Sequence, residues 1–272
     1  MTDAKSIVRK WYAALGFPTD MDAPFTAALD RVEIAPDAVA KDYDVNEEDG
    51  EKNLVYFLYF SEALSQQYKQ KGIPEEILID TLHDIVVWTK TWSSIKGGLY
   101  LGELSWLKRH LTMQLFKLGR LQFCMAPSEF DIPLKGVKVG TPVIEVHIPE
   151  GEPLYTDACL SSLNKARAFF AQYYPEYTYT LFTCHSWLLD TSLSDLLPEG
   201  SNILSFARLF TVAREDVSDA ILSYLFRWKI KKCEIENFSP ASSLAAKVKA
   251  EIRRGRCFYE TLGYIEAKTE KE

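Results

Sequence analysis

Two short strand-like runs separated by one helix-length stretch constrain this chain's fold more than any other feature. The first, Val143-Ile144-Glu145-Val146-His147-Ile148-Pro149, is rich in the β-branched residues that suit a buried strand. The second runs through Tyr177-Thr178-Tyr179-Thr180-Leu181-Phe182 into Cys184-His185-Ser186-Trp187. Between them, over residues 155–174, Cys159, Leu163, Ala166, Phe170 and Tyr173 recur at helical spacing, and Pro175 ends the helix. A strand, a helix and a strand of these lengths make a crossover unit, with parallel strands and a right-handed connection. The C-terminal ends of the strands then share one sheet edge, where open α/β sheets bind ligands. His147, Cys184, His185 and Ser186 bring two imidazoles, a thiol and a hydroxyl to that edge, with Glu145 two residues before His147 and on its side of the strand.

The residues before this unit read as helical. Ile7, Val8, Trp11 and Leu15 share a face that Gly16-Phe17-Pro18 closes, and a short helix follows over residues 25–32. The acidic stretch 41–50 reads as a solvated loop. Leu54, Phe57, Leu58, Leu64 and Tyr68 form the next stripe, ending near Gly72. Pro74-Glu75-Glu76 opens another helix, because proline suits a first turn and acids suit the positive end of the helix dipole. Trp106, His110, Met113 and Leu115 are assigned to a further helix ending near Gly119. Beyond it the pattern predicts strands over 120–125, 142–148 and 209–213, and helices over 193–197, 202–206, 217–228 and 242–254. The division falls at residue 117. A helical region, 1–117, precedes an α+β region, 118–272, whose mixed sheet is flanked by helices.

Composition removes several classes of function. A formal charge of −7 opposes wrapping around nucleic acid, which needs clustered Lys and Arg. No apolar run is long enough to span a bilayer, and residues 1–5 lead into an amphipathic helix rather than a secretory leader. The five cysteines are odd in number and contain no CxxC pair, which excludes a structural zinc site and fits reduced thiols in a cytoplasm. Nothing in the sequence reports oligomeric state.

The ordered segments His147-Ile148-Pro149, Pro153-Leu154, Cys159, Ala168-Phe169-Phe170, Cys184-His185-Ser186-Trp187-Leu188-Leu189 and Ser201-Asn202-Ile203 resemble a bacterial family of acyltransferase-domain-containing proteins. In that family a helical N-acyltransferase N-terminal domain precedes a domain like the GCN5-related N-acetyltransferases. The segment Phe258-Tyr259-Glu260-Thr261-Leu262-Gly263-Tyr264 is similar to one in which that superfamily's tyrosine serves as general acid. The resemblance implies a cytoplasmic enzyme moving an acyl group from acyl-coenzyme A to an amine on a small molecule or peptide, without a metal. It also implies that Ile148, Gly151, His185 and Asn202 meet the coenzyme. The chain departs from the family where the pyrophosphate belongs. The superfamily uses a glycine-rich turn at a helix N-terminus, whereas residues 150–154 hold one glycine, two carboxylates and a proline without an N–H.

Acyl transfer to an amine needs a base, N–H donors facing the developing oxyanion, and an acid for the leaving thiolate. His147 or Glu145 can serve as base, and Cys184, Ser186 or Tyr259 as acid. Set against this is a silent fold that binds a ligand or a partner, with the same histidines and cysteine packed for structure. A third reading makes Cys184 a nucleophile activated by His147 across neighbouring strands, but no Gly-x-Ser-x-Gly elbow or cysteine-protease signature accompanies it.

Overall fold

The computed structural model describes residues 3–44 and 46–267. They divide into two compact units, the first reaching residue 118 and including 122–124, the second made of residues 119–121 and those from 125 onwards. The first is helical. α1 (Ala4–Leu15) buries Val8, Trp11, Tyr12 and Leu15 and ends at Gly16, whose φ of 68° is cheap only for glycine. α2 spans Asp22–Arg31. α3 (Gly50–Lys71) starts where the Asp49 side chain accepts a hydrogen bond from the Lys52 N–H, and α4 (Glu75–Lys96) starts just after Pro74. In the acidic loop, Tyr43 stacks on Tyr56 and donates a hydrogen bond to Asn53.

The helix assigned to residues 106–119 is two elements. α5 (Leu104–Leu111) stops at Thr112, Met113 takes a positive φ of 55°, and β1 (Leu115–Leu118) begins two residues on. The reversal is made by a non-glycine residue, so the sequence carries no break signal there.

The strands that follow are β2 (Leu121–Pro127), β3 (Pro142–His147), β4 (Leu181–Ser186), β5 (Thr211–Val217) and β6 (Tyr259–Glu266), and the six-stranded order is β1-β2-β3-β4-β6-β5. α6 (Thr156–Tyr173) connects β3 to β4, and those strands pair in parallel with Ile144 opposite Phe182 and Glu145 opposite Thr183. β6 lies antiparallel between β4 and β5. α7 (Asn202–Ala207) begins at the Ser201 cap. α8 (Ala220–Leu225) and α9 (Ser243–Arg253) lie between β5 and β6. Three expectations are corrected here. The strand placed at 209–213 runs over Thr211–Val217, and the helix placed at 217–228 shrinks to Ala220–Leu225. β5 is almost wholly exposed and carries Arg214, Glu215 and Asp216, the charged composition of a protected sheet edge. The segment near Leu193 is 3-10 rather than α-helical, over Thr191–Asp195.

Registered partners point to one side of a sheet and strand neighbours to opposite sides. One face therefore carries Val143, Leu181, Leu262 and Tyr264, covered by Ile132 and Val137 of the connection between β2 and β3. The opposite face carries Cys184 and Gly263, which are partners. A Cβ on Gly263 would lie 2.8 Å from the Phe210 Cβ and 2.9 Å from the Leu189 Cδ1, so glycine is needed for close packing. Among the described residues no helix is long and apolar enough to cross a membrane.

Candidate active site

The parallel ladder puts the tips of β3 and β4 side by side. Its registered pairs are 144 with 182 and 145 with 183, after which β3 runs on to His147 and β4 to Ser186. At the end of β3 the His147 Nε2 lies 3.2 Å from the Glu145 Oε2. Neither side chain is sealed: His147 keeps 31% of its exposure and Glu145 19%. Extending the register places His185 beside His147 on the same face. His185 is exposed and packs on Phe130 at 4.8 Å, and the Arg214 guanidinium covers the same ring at 5.4 Å. Arg214 in turn clamps Asp216, with its Nε 2.7 Å from Oδ2 and an Nη2 2.7 Å from Oδ1. The Arg214 hydrogen bond holds the Asp216 carboxyl below its ordinary value, with a further contribution from His185. Phe130, Arg214 and Asp216 were not singled out by the sequence reading, because they come from separate segments and meet only through β6.

The remaining site residues stand elsewhere. Cys184 is 1% exposed, and burial pushes its thiol far up, with Glu145 adding to the rise. The thiol therefore does not join the two imidazoles at one crevice. The Ser186 hydroxyl accepts a hydrogen bond from the Leu188 N–H and caps the 3-10 turn Trp187–Leu189. Tyr259 opens β6 opposite Val217, and its N–H donates to the Oδ2 of buried Asp190 at 2.9 Å. Asp190 also accepts from the Ser192 N–H, so one carboxylate ties the segment after β4 to the start of β6. Among the described residues no group of three His, Cys, Asp or Glu is arranged to hold a metal ion.

Where the chain leaves β3 for α6, Ile148 is half-buried and Gly151 takes a φ of 134°, which an L-residue rarely adopts. Asp157 in the first turn of α6 adds to the acids of residues 150 and 152. Arg120 lies against this turn and donates to the Pro149 carbonyl at 3.0 Å. Its Nε is buried without a hydrogen-bond partner among the described residues, and burial lowers the guanidinium's pKa while Glu152 opposes that fall. Asn202 is exposed at the first position of α7.

Comparison with known proteins bears on both halves of the chain. Residues 3–113 match the N-acyltransferase N-terminal domain, and residues 115–265 match the GNAT-like C-terminal domain. Among curated proteins none matches. Solved structures do. An acyltransferase in complex with decanoyl-CoA superposes with a TM-score of 0.78 at 27% identity, over 95% of this chain and 87% of that one. A mutant acyltransferase in complex with octanoyl-CoA gives 0.76 at 25% identity, over 95% and 87%. An acyltransferase in complex with decanoyl-CoA and teicoplanin gives 0.76 at 24% identity, over 96% and 88%, and adds likeness of fold alone. The chain belongs to the proteins that join an N-acyltransferase N-terminal domain to a GNAT-like C-terminal domain.

Proposed function

We propose that the protein transfers an acyl group from acyl-coenzyme A to an amine by direct attack. The observation that carries this reading is the half-exposed Glu145–His147 pair at the tip of β3, beside the tip of parallel β4. With its Nε2–H donated to Glu145, His147 takes the ammonium proton on Nδ1, and the carboxylate stabilises the imidazolium that results. The neutral amine then attacks the thioester carbonyl. Backbone N–H groups beyond the last registered pair of β3 face the oxyanion. The C–S bond breaks, the nitrogen releases its second proton to solvent, and the thiolate takes a proton from the side bearing the hydroxyls of Ser186 and Tyr259, which solvent restores. Cys184 is given no step, because a buried thiol with a raised pKa is a poor proton source.

Ile148 and Gly151 line the route from this tip to the N-terminus of α6, where the coenzyme phosphates would meet N–H groups. Three carboxylates oppose an anion there, and the Arg120 guanidinium offsets them. His185 belongs with the acceptor on the Phe130 side, and Asn202 is assigned no contact. The solved acyltransferases, with decanoyl-CoA, octanoyl-CoA and teicoplanin in their complexes, support an acyl-CoA donor and a small-molecule or peptide acceptor. Acidic residues 150 and 152 favour a second reading, a silent fold that no longer holds the coenzyme.

Calorimetry and thermal unfolding with acetyl-, octanoyl- and decanoyl-CoA decide between them. Saturable heat and a melting temperature that climbs with ligand concentration are expected, since a ligand of the native state stabilises by mass action. No heat and no shift at millimolar acyl-CoA overturns the acyltransferase reading.

A further inference from the structure

β6 outruns the strand beside it. The last registered pair of β4 and β6 is Ser186 with Thr261, yet β6 begins two residues earlier, at Tyr259. On its other flank the start of β6 is held, with Tyr259 opposite Val217 and Glu260 opposite Asp216. On the β4 flank the chain has already turned away into the 3-10 turns Trp187–Leu189 and Thr191–Asp195. The Tyr259 N–H therefore meets a carboxylate rather than a strand carbonyl. Asp190, between the two turns, accepts from it on Oδ2 at 2.9 Å and from the Ser192 N–H on Oδ1 at 2.8 Å. Arg256 adds a second tie to the same turn, donating at 2.7 Å to the Ser192 carbonyl and at 2.7 Å to the Asp195 carboxylate.

An acid is a costly choice for this place. Asp190 is 2% exposed, and among the described residues its partners are N–H groups rather than a cation. A neutral acceptor carries a far smaller desolvation cost. What the carboxylate supplies is two acceptor oxygens on one short arm, where an amide offers one and turns its NH2 against the other donor. Two segments are fixed against each other in this way: the turn that leaves Ser186, and the first residue of β6. Ser186 and Thr261 are partners, and Tyr259 lies two residues before Thr261, so the Ser186 and Tyr259 side chains share one face of the sheet. Those are the two hydroxyls assigned to the leaving thiolate. We infer that Asp190 is a positioning residue for that proton transfer, acting through Tyr259 by fixing it relative to Ser186. This rests on the acyltransferase reading, because a leaving thiolate is what makes the spacing of the two hydroxyls matter to the rate.

A double-mutant cycle on the full chain separates positioning from plain support. Thioester loss is followed with octanoyl-CoA as donor and hydroxylamine as a small amine probe, the protein-free rate subtracted. Tyr259→Phe is expected to lower kcat about 10²–10⁴-fold. Asp190→Asn is expected to lower it about ten- to a hundredfold, the scale of a misplaced catalytic group, with KM for octanoyl-CoA unchanged. In the double variant kcat should equal that of Tyr259→Phe alone, since misplacing a hydroxyl that is already absent changes nothing. Urea unfolding is measured beside it, because lost support lowers stability in both backgrounds alike. Asp190→Glu, which keeps both oxygens on a longer arm, carries the same cycle if Asp190→Asn does not fold. Three results overturn the positioning role alone: unchanged kcat in the folded Asp190 variant, the same fold-loss in both backgrounds, or a Tyr259→Phe variant as fast as the parent. A parent that leaves octanoyl-CoA unconsumed defeats the acyltransferase reading, and the positioning role with it.

Discussion

Each unit contains a carboxylate–imidazole pair, and the two differ mainly in burial. In the helical unit the His110 Nε2 lies 3.0 Å from the Asp84 Oδ2, with His110 at 0% exposure and Asp84 at 8%. The pair at the tip of β3 has nearly the same separation but keeps contact with solvent. Trp106 donates its indole N–H to the Asp84 Oδ2 at 3.3 Å, and the His110 Nδ1 faces the Trp106 carbonyl. Burial alone would raise the Asp84 carboxyl. His110, Gln122 and Trp106 outweigh it and hold the carboxyl below its ordinary value. The same two groups thus form a locked tie between α4 and α5 in one unit, and a solvent-accessible pair, to which we assign the role of base, in the other. Solvent access, rather than the presence of a His–acid pair, is what distinguishes the two.

The largest effect is expected from Asp84→Ala. Removing one partner strands a buried imidazole, at a cost of about 3–5 kcal/mol in urea unfolding. The pair also sets a pH dependence. Because the folded-state carboxyl lies below its unfolded value, its stabilisation is present above about pH 4 and is lost as pH falls through the folded value. The stability gap between the parent and Asp84→Asn should therefore close in acid, and a gap that stays constant with pH would contradict the ionised carboxylate.

His147→Ala should leave the unfolding curve almost in place and lower turnover about 10²–10⁴-fold. Glu145→Gln should lose less, about ten- to a hundredfold, the scale of one charge-assisted hydrogen bond. A large stability loss in His147→Ala with unchanged turnover would make the two pairs alike after all. The smallest change is expected from Cys184→Ala. It should cost about 1 kcal/mol of packing and leave kcat unaltered. A drop in kcat beyond tenfold would put the thiol into the chemistry.

The crossover unit, β3, α6 and β4, was legible because apolar strands and an interrupted helical stripe leave one arrangement open. The cap at Ser201 and the stops at Gly16 and Gly72 were equally readable, since each matches a local hydrogen-bonding or φ requirement. β1 was missed because Leu115, Phe116 and Leu118 fit a helical stripe as well as a strand. β5 was misplaced because an exposed edge strand has no buried face to generate alternation. Within the site, sequence parity separated Cys184 from His185. Nothing local announced that Phe130 would lie over His185, or that Asp190 would reach the start of β6.

The placing of β6 has a consequence for how the protein is made. Ribosomal synthesis delivers β4 and β5 well before the strand that belongs between them, and both wait with bare hydrogen-bonding edges until Tyr259–Glu266 emerges. A nascent chain stalled in the α8–α9 region is therefore a ready partner for a second unfinished copy.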